Sequence, residues 1–101
     1  MKSRRTKALE IPQSVKRSVY DRDNGMCILC GAPGIPEAHY IPRSKGGLGI
    51  ERNIVTLCRS CHNRYDQTAD RPYIRQQIMA YLSEKYKNWD ETSLYYAKER
   101  L

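Results

Sequence analysis

The chain has 101 residues, a net charge of +7 and a hydrophobic fraction of 40%, values that predict one small, basic globular domain. No stretch approaches the ~20 apolar residues of a membrane span, and the N-terminus lacks the apolar core of a signal peptide. We therefore expect a cytoplasmic protein with no membrane partner, in a compartment where thiols stay reduced.

The positive charge is concentrated near the N-terminus. Residues 1–22 carry a net charge of +5, whereas residues 23–69 and residues 70–101 carry +1 each. This excess favours a polyanionic partner such as nucleic acid, and a basic arm that only aids solubility is the alternative. We expect residues 1–10 to form a mobile basic arm.

The first predicted helix lies within residues 11–25. Pro12 suits a first helical turn, Val15 and Val19 are spaced by four residues, and Asn24-Gly25 is a helix stop signal. The other faces of this helix carry three cations that we assign to the basic surface, namely Lys16, Arg17 and Arg22.

Two Cys-x-x-Cys pairs, Cys27 with Cys30 and Cys58 with Cys61, are separated by 27 residues. Each turn can direct two sulfurs at one ion, and four thiolates form the closed tetrahedral shell of a structural zinc site. A redox pair and an iron–sulfur cluster are the alternatives. His62 completes a Cys-x-x-Cys-His haem-attachment pattern, but we expect no haem because the chain lacks an export signal.

Residues 26–69 read as a zinc-tied core in the order strand, loop, strand, helix. We predict strands over residues 35–41 and 53–57, joined by a flexible glycine-rich loop at residues 43–49. A helix is predicted for residues 60–69. The fold class is therefore small α+β.

Residues 70–101 are predicted to form C-terminal helices. Apolar residues recur at helical spacing over residues 72–87, which indicates an amphipathic helix. Leu94, Ala97 and Leu101 suggest a short last helix.

The two histidines of the chain flank this zinc-tied core. His39 ends the first predicted strand beside the glycine-rich loop, and His62 starts the helix after the second cysteine pair. A lone histidine is commonly a packing or surface residue, but two at these positions indicate a site. A spare zinc ligand is the alternative role for His62.

In this order the motifs resemble those of the HNH endonucleases, particularly small phage-type members with a four-cysteine zinc. The matching residues are Cys27-x-x-Cys30, the run His39 to Gly47, Asn53 and Leu57-Cys-x-x-Cys-His62. The resemblance implies a ββα-metal core, also called the His-Me finger, with a structural zinc and flanking helices. It also implies one catalytic divalent ion, Mg²⁺ first and Mn²⁺ or Ni²⁺ as alternatives, and cleavage of DNA phosphodiester bonds.

The resemblance assigns a role to each of three residues. His39 is expected to act as the general base that takes a proton from the attacking water, a task that suits a near-neutral pKa. Asn53 is expected to brace the loop and orient His39, although without the resemblance it reads as an ordinary turn residue. His62 is expected to bind the catalytic ion.

One position departs from the family pattern. Many members place an Asp or His just before the base as a second metal ligand, and here that position is Ala38. Asp66 is the preferred replacement because it shares a helix face with His62 at i, i+4. Glu37 is the alternative, because on a strand it points to the same side as His39.

Four cations surround the expected site in sequence, and we predict that they contact the DNA backbone: Arg43, Lys45, Arg59 and Arg64. Phosphate contacts of this kind give affinity and salt dependence rather than base choice. Each of these charges, taken alone, also fits a solvated surface group.

The leading hypothesis is a metal-dependent HNH-type DNA endonuclease that nicks DNA or cuts both strands. If a phage encodes the chain, it would act in the host cytoplasm, and a packaging role would imply terminase partners. The alternative is a non-catalytic, zinc-stabilised module that binds nucleic acid or protein. A purely structural protein, a third hypothesis, predicts no salt-sensitive DNA binding.

Overall fold

The computed structural model describes residues 2–97, and within that range four α-helices surround one β-hairpin. The helices are α1 (Arg4–Leu9), α2 (Gln13–Arg22), α3 (Arg59–Gln67) and α4 (Arg71–Lys85). The strands are β1 (Ile35–His39) and β2 (Ile54–Leu57). Short 3₁₀ turns occupy Arg43–Lys45, Glu51–Asn53 and Glu91–Leu94.

The hairpin is the centre of the molecule. Strands β1 and β2 are antiparallel, with His39 opposite Ile54, Ala38 opposite Val55 and an irregularity between Ile35 and Ala38. All of β2 is buried, as expected for a strand covered on both faces. In β1, Ala38 faces the core, whereas His39 is only half-buried, so the alternation of the strand presents the histidine on the outer face.

Helices α3 and α4 cover the inner face of the hairpin. Ile74, Ile78 and Leu82 form the buried stripe of α4, at the spacing expected for an amphipathic helix. Tyr65 of α3 is buried against the same core and donates its hydroxyl to the Tyr40 carbonyl at 2.6 Å. The small α+β fold predicted from the sequence is confirmed.

The prediction of a mobile arm at residues 1–10 was wrong. Residues 4–9 form α1, which begins with the Ser3 hydroxyl accepting a hydrogen bond from the Thr6 amide. Leu9 is buried, and the Gly49 amide donates to the Ala8 carbonyl at 3.0 Å. Burial of one leucine and this hydrogen bond fix the segment against the glycine-rich loop.

Arg22 does not belong to the exposed basic surface to which the sequence analysis assigned it. Its side chain is 11% exposed and forms a two-pronged ion pair with buried Asp23, at 2.7 and 2.9 Å. It also donates to the carbonyls of Glu51 and Ile54 and to the Tyr86 hydroxyl. Arg22 therefore ties the end of α2 to the hairpin and to the end of α4.

The loop at residues 43–49 is packed rather than flexible. A Cβ on Gly47 would lie 1.6 Å from the Ile41 carbonyl oxygen, so only glycine permits this close approach. The Leu48 amide donates to the Leu94 carbonyl at 2.9 Å. The glycines thus mark backbone packing at this position.

The predicted last helix is also corrected where the structure describes it. Residues 91–94 form a 3₁₀ turn, and Tyr95 then pairs as a β-bridge with Gly47. Residues 98–101 of that prediction lie outside the described part. Within residues 2–97, none of the helices has the length and apolar character needed to cross a membrane.

Candidate functional site

The four cysteines come together between the start of β1, the end of β2 and the start of α3. Their sulfur atoms all lie within 4.8 Å of one another, and those of Cys30 and Cys58 are 3.6 Å apart. A tetrahedral zinc with Zn–S bonds of about 2.3 Å separates its sulfurs by about 3.8 Å, so the cluster fits one ion. All four are free thiols, and the Cys58 sulfur accepts the Cys61 amide at 3.4 Å.

Crowding of the thiols gives a chemical reason for a cation. Burial, reinforced by the neighbouring thiols, raises the pKa of Cys61 to about 12. Burial would also raise the pKa of Cys27, but amide groups of Cys58, Cys30 and Leu29 outweigh it and lower that pKa to about 7. The Cys27 thiolate therefore forms readily, whereas a bound cation would have to displace the proton of Cys61.

His39 lies at the end of β1 and lines an open cavity of about 380 Å³ together with Glu10 and Arg43. Its Nε2 is 2.9 Å from the Leu9 carbonyl oxygen. Because a carbonyl only accepts, Nε2 carries the proton and Nδ1 holds the lone pair in the neutral ring. Within residues 2–97 we find no hydrogen-bond partner for Nδ1.

The surroundings of His39 favour its neutral form. Burial lowers its pKa below the usual 6.5, and the hydrogen bond to Leu9 opposes that shift. The charges of Arg43 and His62 lower the pKa further, while Asp66 raises it. The charges on His62 and Asp66 therefore act on His39, although these two residues belong to a different element.

Asn53 is fully buried between the chain that follows His39 and the glycine-rich loop. Its Oδ1 accepts the Ile41 amide at 2.8 Å, and its Nδ2 donates to the carbonyls of Ile41 and Leu48 at 3.2 and 2.8 Å. The Tyr40 amide donates to the Asn53 carbonyl at 2.7 Å. Asn53 thus braces the backbone beside His39 without contacting the imidazole.

His62 and Asp66 share one face of α3, and the His62 Nε2 is 3.3 Å from an Asp66 carboxylate oxygen. Adjacent ligands in an octahedral shell with bonds of about 2.1 Å lie about 3 Å apart, so the pair fits two positions of one ion. Within residues 2–97, the four-cysteine cluster is the one compact group of three or more histidine, cysteine, aspartate or glutamate side chains that could hold a metal ion. Water and substrate oxygens would have to fill the other positions around an ion at His62.

Glu37 lies on the same side of β1 as His39, as the strand alternation predicted. It lines the cavity that holds His39 and also a second cavity of about 260 Å³ that holds His62. Its carboxylate accepts from the Lys16 ammonium at 3.1 Å. Ala38 points away from both cavities into the core, where it is 1% exposed.

Two of the four predicted DNA-contacting cations border these cavities. Arg43 lines the His39 cavity, and Arg59 lines the His62 cavity. Both side chains are exposed. The structure therefore brings cations to both histidines, as expected if a phosphate group passes between them.

The other two cations lie elsewhere. Lys45 stands on the far side of the Arg43–Lys45 turn, where it lines a third cavity. Arg64 pairs with Asp70 at 3.2 Å. Because it follows His62 by two positions on α3, it points away from the His62 face of the helix.

Sequence reasoning missed the contribution of the N-terminal segment. Leu9 supplies the carbonyl that holds His39, and Glu10, which pairs with Lys2 at 2.8 Å, lines the same cavity. The available signal was a short apolar run, Ala8-Leu9, inside an otherwise basic segment. Every residue has a backbone carbonyl, so the residue types in the sequence do not show which carbonyl holds His39.

The hairpin, the following helix and the four-cysteine cluster define a small α+β protein with a ββα core and a group of thiols that could hold one metal ion. A family model described as HNH endonuclease matches residues 27–78, which is 52 of the 101 residues and spans all four cysteines and both histidines. The chain belongs to the HNH endonuclease family. A search of curated proteins found no match.

Proposed function

We propose that the chain is a metal-dependent endonuclease that hydrolyses DNA phosphodiester bonds. The observation that carries this proposal is the fixed imidazole of His39, whose Nε2 is held by the Leu9 carbonyl in a cavity that also contains Arg43. Membership of a nuclease family implies a nucleic-acid substrate. The basic net charge of +7 supports the same substrate class.

His39 acts as the general base. Its Nδ1 accepts a proton from a water molecule as the water oxygen attacks the phosphorus atom, and the ring becomes an imidazolium. The hydrogen bond from Nε2 to the Leu9 carbonyl keeps the ring in one orientation and stabilises the positive charge. The lowered pKa of His39 keeps the ring neutral and ready at pH 7.

His62 and Asp66 would hold the catalytic divalent ion, with Glu37 as the alternative carboxylate. When bound, this ion stabilises negative charge on the phosphate and on the leaving oxygen. Mg²⁺ is the first expectation, because two ligands leave room for water and phosphate oxygens. Zinc at Cys27 and its three partners is structural.

The substrate is held by cations. Arg43 and Arg59 border the two histidine cavities and would contact phosphates on either side of the bond to be cut. Asn53 positions the chain after His39 and does not contact the substrate. The P–O3′ bond breaks as the water attacks, and the leaving O3′ takes a proton from solvent water. The proposed products are therefore a 5′-phosphate and a 3′-hydroxyl end.

The test is cleavage of supercoiled plasmid by zinc-loaded protein, with Mg²⁺, Mn²⁺ or Ni²⁺ titrated. His39→Ala should lose more than about 10²-fold of the cleavage rate, the scale of a lost general base, while DNA binding persists. Equal cleavage by wild type and His39→Ala would show a contaminating nuclease and overturn the proposal.

Two isosteric variants distinguish the carboxylates. Asp66→Asn should raise the concentration of divalent ion needed for half-maximal cleavage by at least about tenfold, whereas Glu37→Gln should change it little. The opposite pattern would make Glu37 the ligand. The two variants are comparable because both carboxylates are exposed. Among the described residues each has one partner, His62 for Asp66 and Lys16 for Glu37.

A non-catalytic binding module is the second candidate, and Ala38 is the observation that favours it. This residue is buried in the core and supplies no ligand where many family members have one. Under that function, no divalent ion supports cleavage and His39→Ala leaves DNA or protein binding intact. If a phage encodes the chain, terminase subunits are the partners to test.

A further inference from the structure

A third cavity, of about 340 Å³, lies beside the start of α4, and its lining differs from that of the two cavities that hold the histidines. Three cations line it, namely Lys45, Arg71 and Arg75. Its remaining wall is apolar and includes Ile41, Pro72 and Tyr95. A cavity with a cationic rim and an apolar wall fits an anion that carries apolar groups on either side.

The two arginines are held in place before any ligand arrives. Arg71 donates from Nη1 to the Tyr65 carbonyl at 2.9 Å and lies 4.4 Å from the centroid of the Tyr65 ring. Arg75 lies 4.9 Å from the centroid of the Tyr40 ring and pairs through Nη2 with Glu91. Stacking on a buried ring restricts a guanidinium, which reduces the entropy lost on binding.

The cavity keeps unused positive charge. Each guanidinium uses one terminal nitrogen in the contacts above, and within residues 2–97 its other nitrogens donate to no acceptor. Lys45 is exposed and its ammonium has no partner among the described residues. Among residues 2–97, Glu91 is the one carboxylate that pairs with any of these three cations, so the three cations and Glu91 together carry a net charge of +2.

We propose that this cavity binds a phosphodiester group of the DNA strand, next to the group held at His39. The Arg43–Lys45 turn separates the two cavities, with Arg43 lining one and Lys45 lining the other. A strand that crosses this turn therefore meets cations on both sides. The apolar wall suits the deoxyribose on either side of the phosphate. The choice of DNA as ligand rests on the proposed nuclease function.

The experiment measures the salt dependence of DNA binding by the 101-residue, zinc-loaded His39→Ala protein. Fluorescence anisotropy of a labelled duplex gives log Kd against log salt concentration for this parent, for added Lys45→Gln and for added Arg71→Gln. Added Lys87→Gln is the matched control. It removes one exposed lysine beyond the other end of α4, about 20 Å from Arg71 along a helix of 15 residues.

We expect Lys45→Gln to reduce the salt slope by about 0.9 and to weaken binding several-fold, because one phosphate contact is lost. Lys87→Gln should leave both quantities unchanged. Arg71→Gln should act like Lys45→Gln, and its thermal midpoint shows whether the protein is still folded. The Lys45 side chain forms no hydrogen bond or ion pair among the described residues, so its variant tests the cavity even if Arg71→Gln unfolds.

Equal slopes for the parent and the Lys45→Gln protein overturn the proposal, and so do equal losses in the Lys45→Gln and Lys87→Gln proteins. Binding is measured in a protein without the proposed base, so the result does not depend on cleavage. If the wild-type protein cleaves DNA but Lys45→Gln leaves the salt slope unchanged, the proposed function stands and the proposed phosphate site in this cavity is wrong. If DNA binding depends on Lys45 but the wild-type protein never cleaves, this cavity stands and the proposed function fails. If an acidic peptide binds through Lys45 and DNA does not bind at all, both proposals fail.

Discussion

At His39, one backbone contact decides which ring nitrogen is basic. The Leu9 carbonyl accepts from Nε2 at 2.9 Å, so the lone pair remains on Nδ1. A histidine with this arrangement needs no carboxylate partner to select its tautomer. The chemistry proposed for the chain therefore depends on a residue whose own side chain, leucine, takes no part in it.

The pH dependence of cleavage follows from the burial of His39. Its pKa is held below the usual 6.5, and a general base is active when deprotonated. Cleavage at saturating divalent ion should therefore be constant near pH 7 and should fall as pH drops through a midpoint below 6.5. A plasmid-cleavage profile measures this midpoint, and NMR titration of the His39 ring in zinc-loaded protein gives an independent value. A midpoint above 6.5 would contradict the assignment.

Asp23 shows how a buried charge is tolerated in a small protein. Burial alone would raise its pKa, but hydrogen bonds from Arg22 and Tyr81 outweigh burial and hold the pKa below its usual value. The Thr56 amide donates to the same carboxylate at 2.9 Å. Because the folded pKa is lowered, the stabilisation is present above about pH 4 and is lost as pH falls through the lowered pKa.

We expect Asp23→Asn to lower the free energy of unfolding by about 3–5 kcal/mol, because it leaves Arg22 buried without its counter-charge. Urea unfolding of the zinc-loaded protein at pH 7 measures the loss. Asp21→Asn, an exposed change two residues earlier, is the control and should cost less than about 0.5 kcal/mol. Similar losses in the two variants would mean that the ion pair adds nothing.

At the scale of elements, the spacing of apolar residues was sufficient to predict the helices that cover the core. α2 and α4 have apolar residues at helical spacing, and their observed ends fall within three residues of the prediction. Helix α1 could not be found in this way because its six residues contain one buried side chain, Leu9. A single buried residue cannot show the spacing that identifies a helix in a sequence.

In the candidate site, too, some features could be predicted from the sequence and others could not. Cysteine spacing was enough to predict the metal cluster, because two short turns impose the geometry locally. The brace formed by Asn53 was reached only through the family resemblance, since a turn and a buried clamp look alike in sequence. The burial of Arg22 and the packing of Gly47 could not be predicted, because both depend on distant backbone.

A test of the N-terminal segment uses the glycine against which it packs. A Cβ on Gly49 would lie 1.9 Å from the Glu10 carbonyl oxygen, so Gly49→Ala must push this segment away from the loop. With the Leu9 carbonyl displaced, we expect kcat to fall by roughly 10²-fold with little change in KM. Ser44→Ala, an exposed change in the neighbouring turn, is the control.

The ¹⁵N chemical shifts of His39 separate an effect on the ring from a general loss of stability. In wild type they should report a proton on Nε2, and in Gly49→Ala a mixture of tautomers. A folded Gly49→Ala protein with normal kcat would show that the Leu9 contact is dispensable.

For the molecule as a whole, we expect a zinc ion held by the four-cysteine cluster to be the main stabilising link. Structural zinc contributes on the order of 10 kcal/mol in small domains, which is comparable with the total stability of a domain of this size. Removal of zinc by a strong chelator should therefore abolish cooperative thermal unfolding, and one equivalent of zinc should restore it. Circular dichroism with metal analysis measures both. A chelated protein that keeps its thermal midpoint would show that the cluster is not structural.

We also expect an ion at the cysteine cluster to affect how fast the chain folds. Several native contacts join distant positions, such as the hydrogen bond from Arg22 to the Tyr86 hydroxyl across 64 residues. The entropy cost of closing a loop grows with its length, and contacts of this kind slow folding. An ion that joins Cys27 to Cys61 early shortens the loops that remain to be closed. Refolding of the metal-free chain should therefore be limited by ion capture, with a rate that rises with zinc concentration.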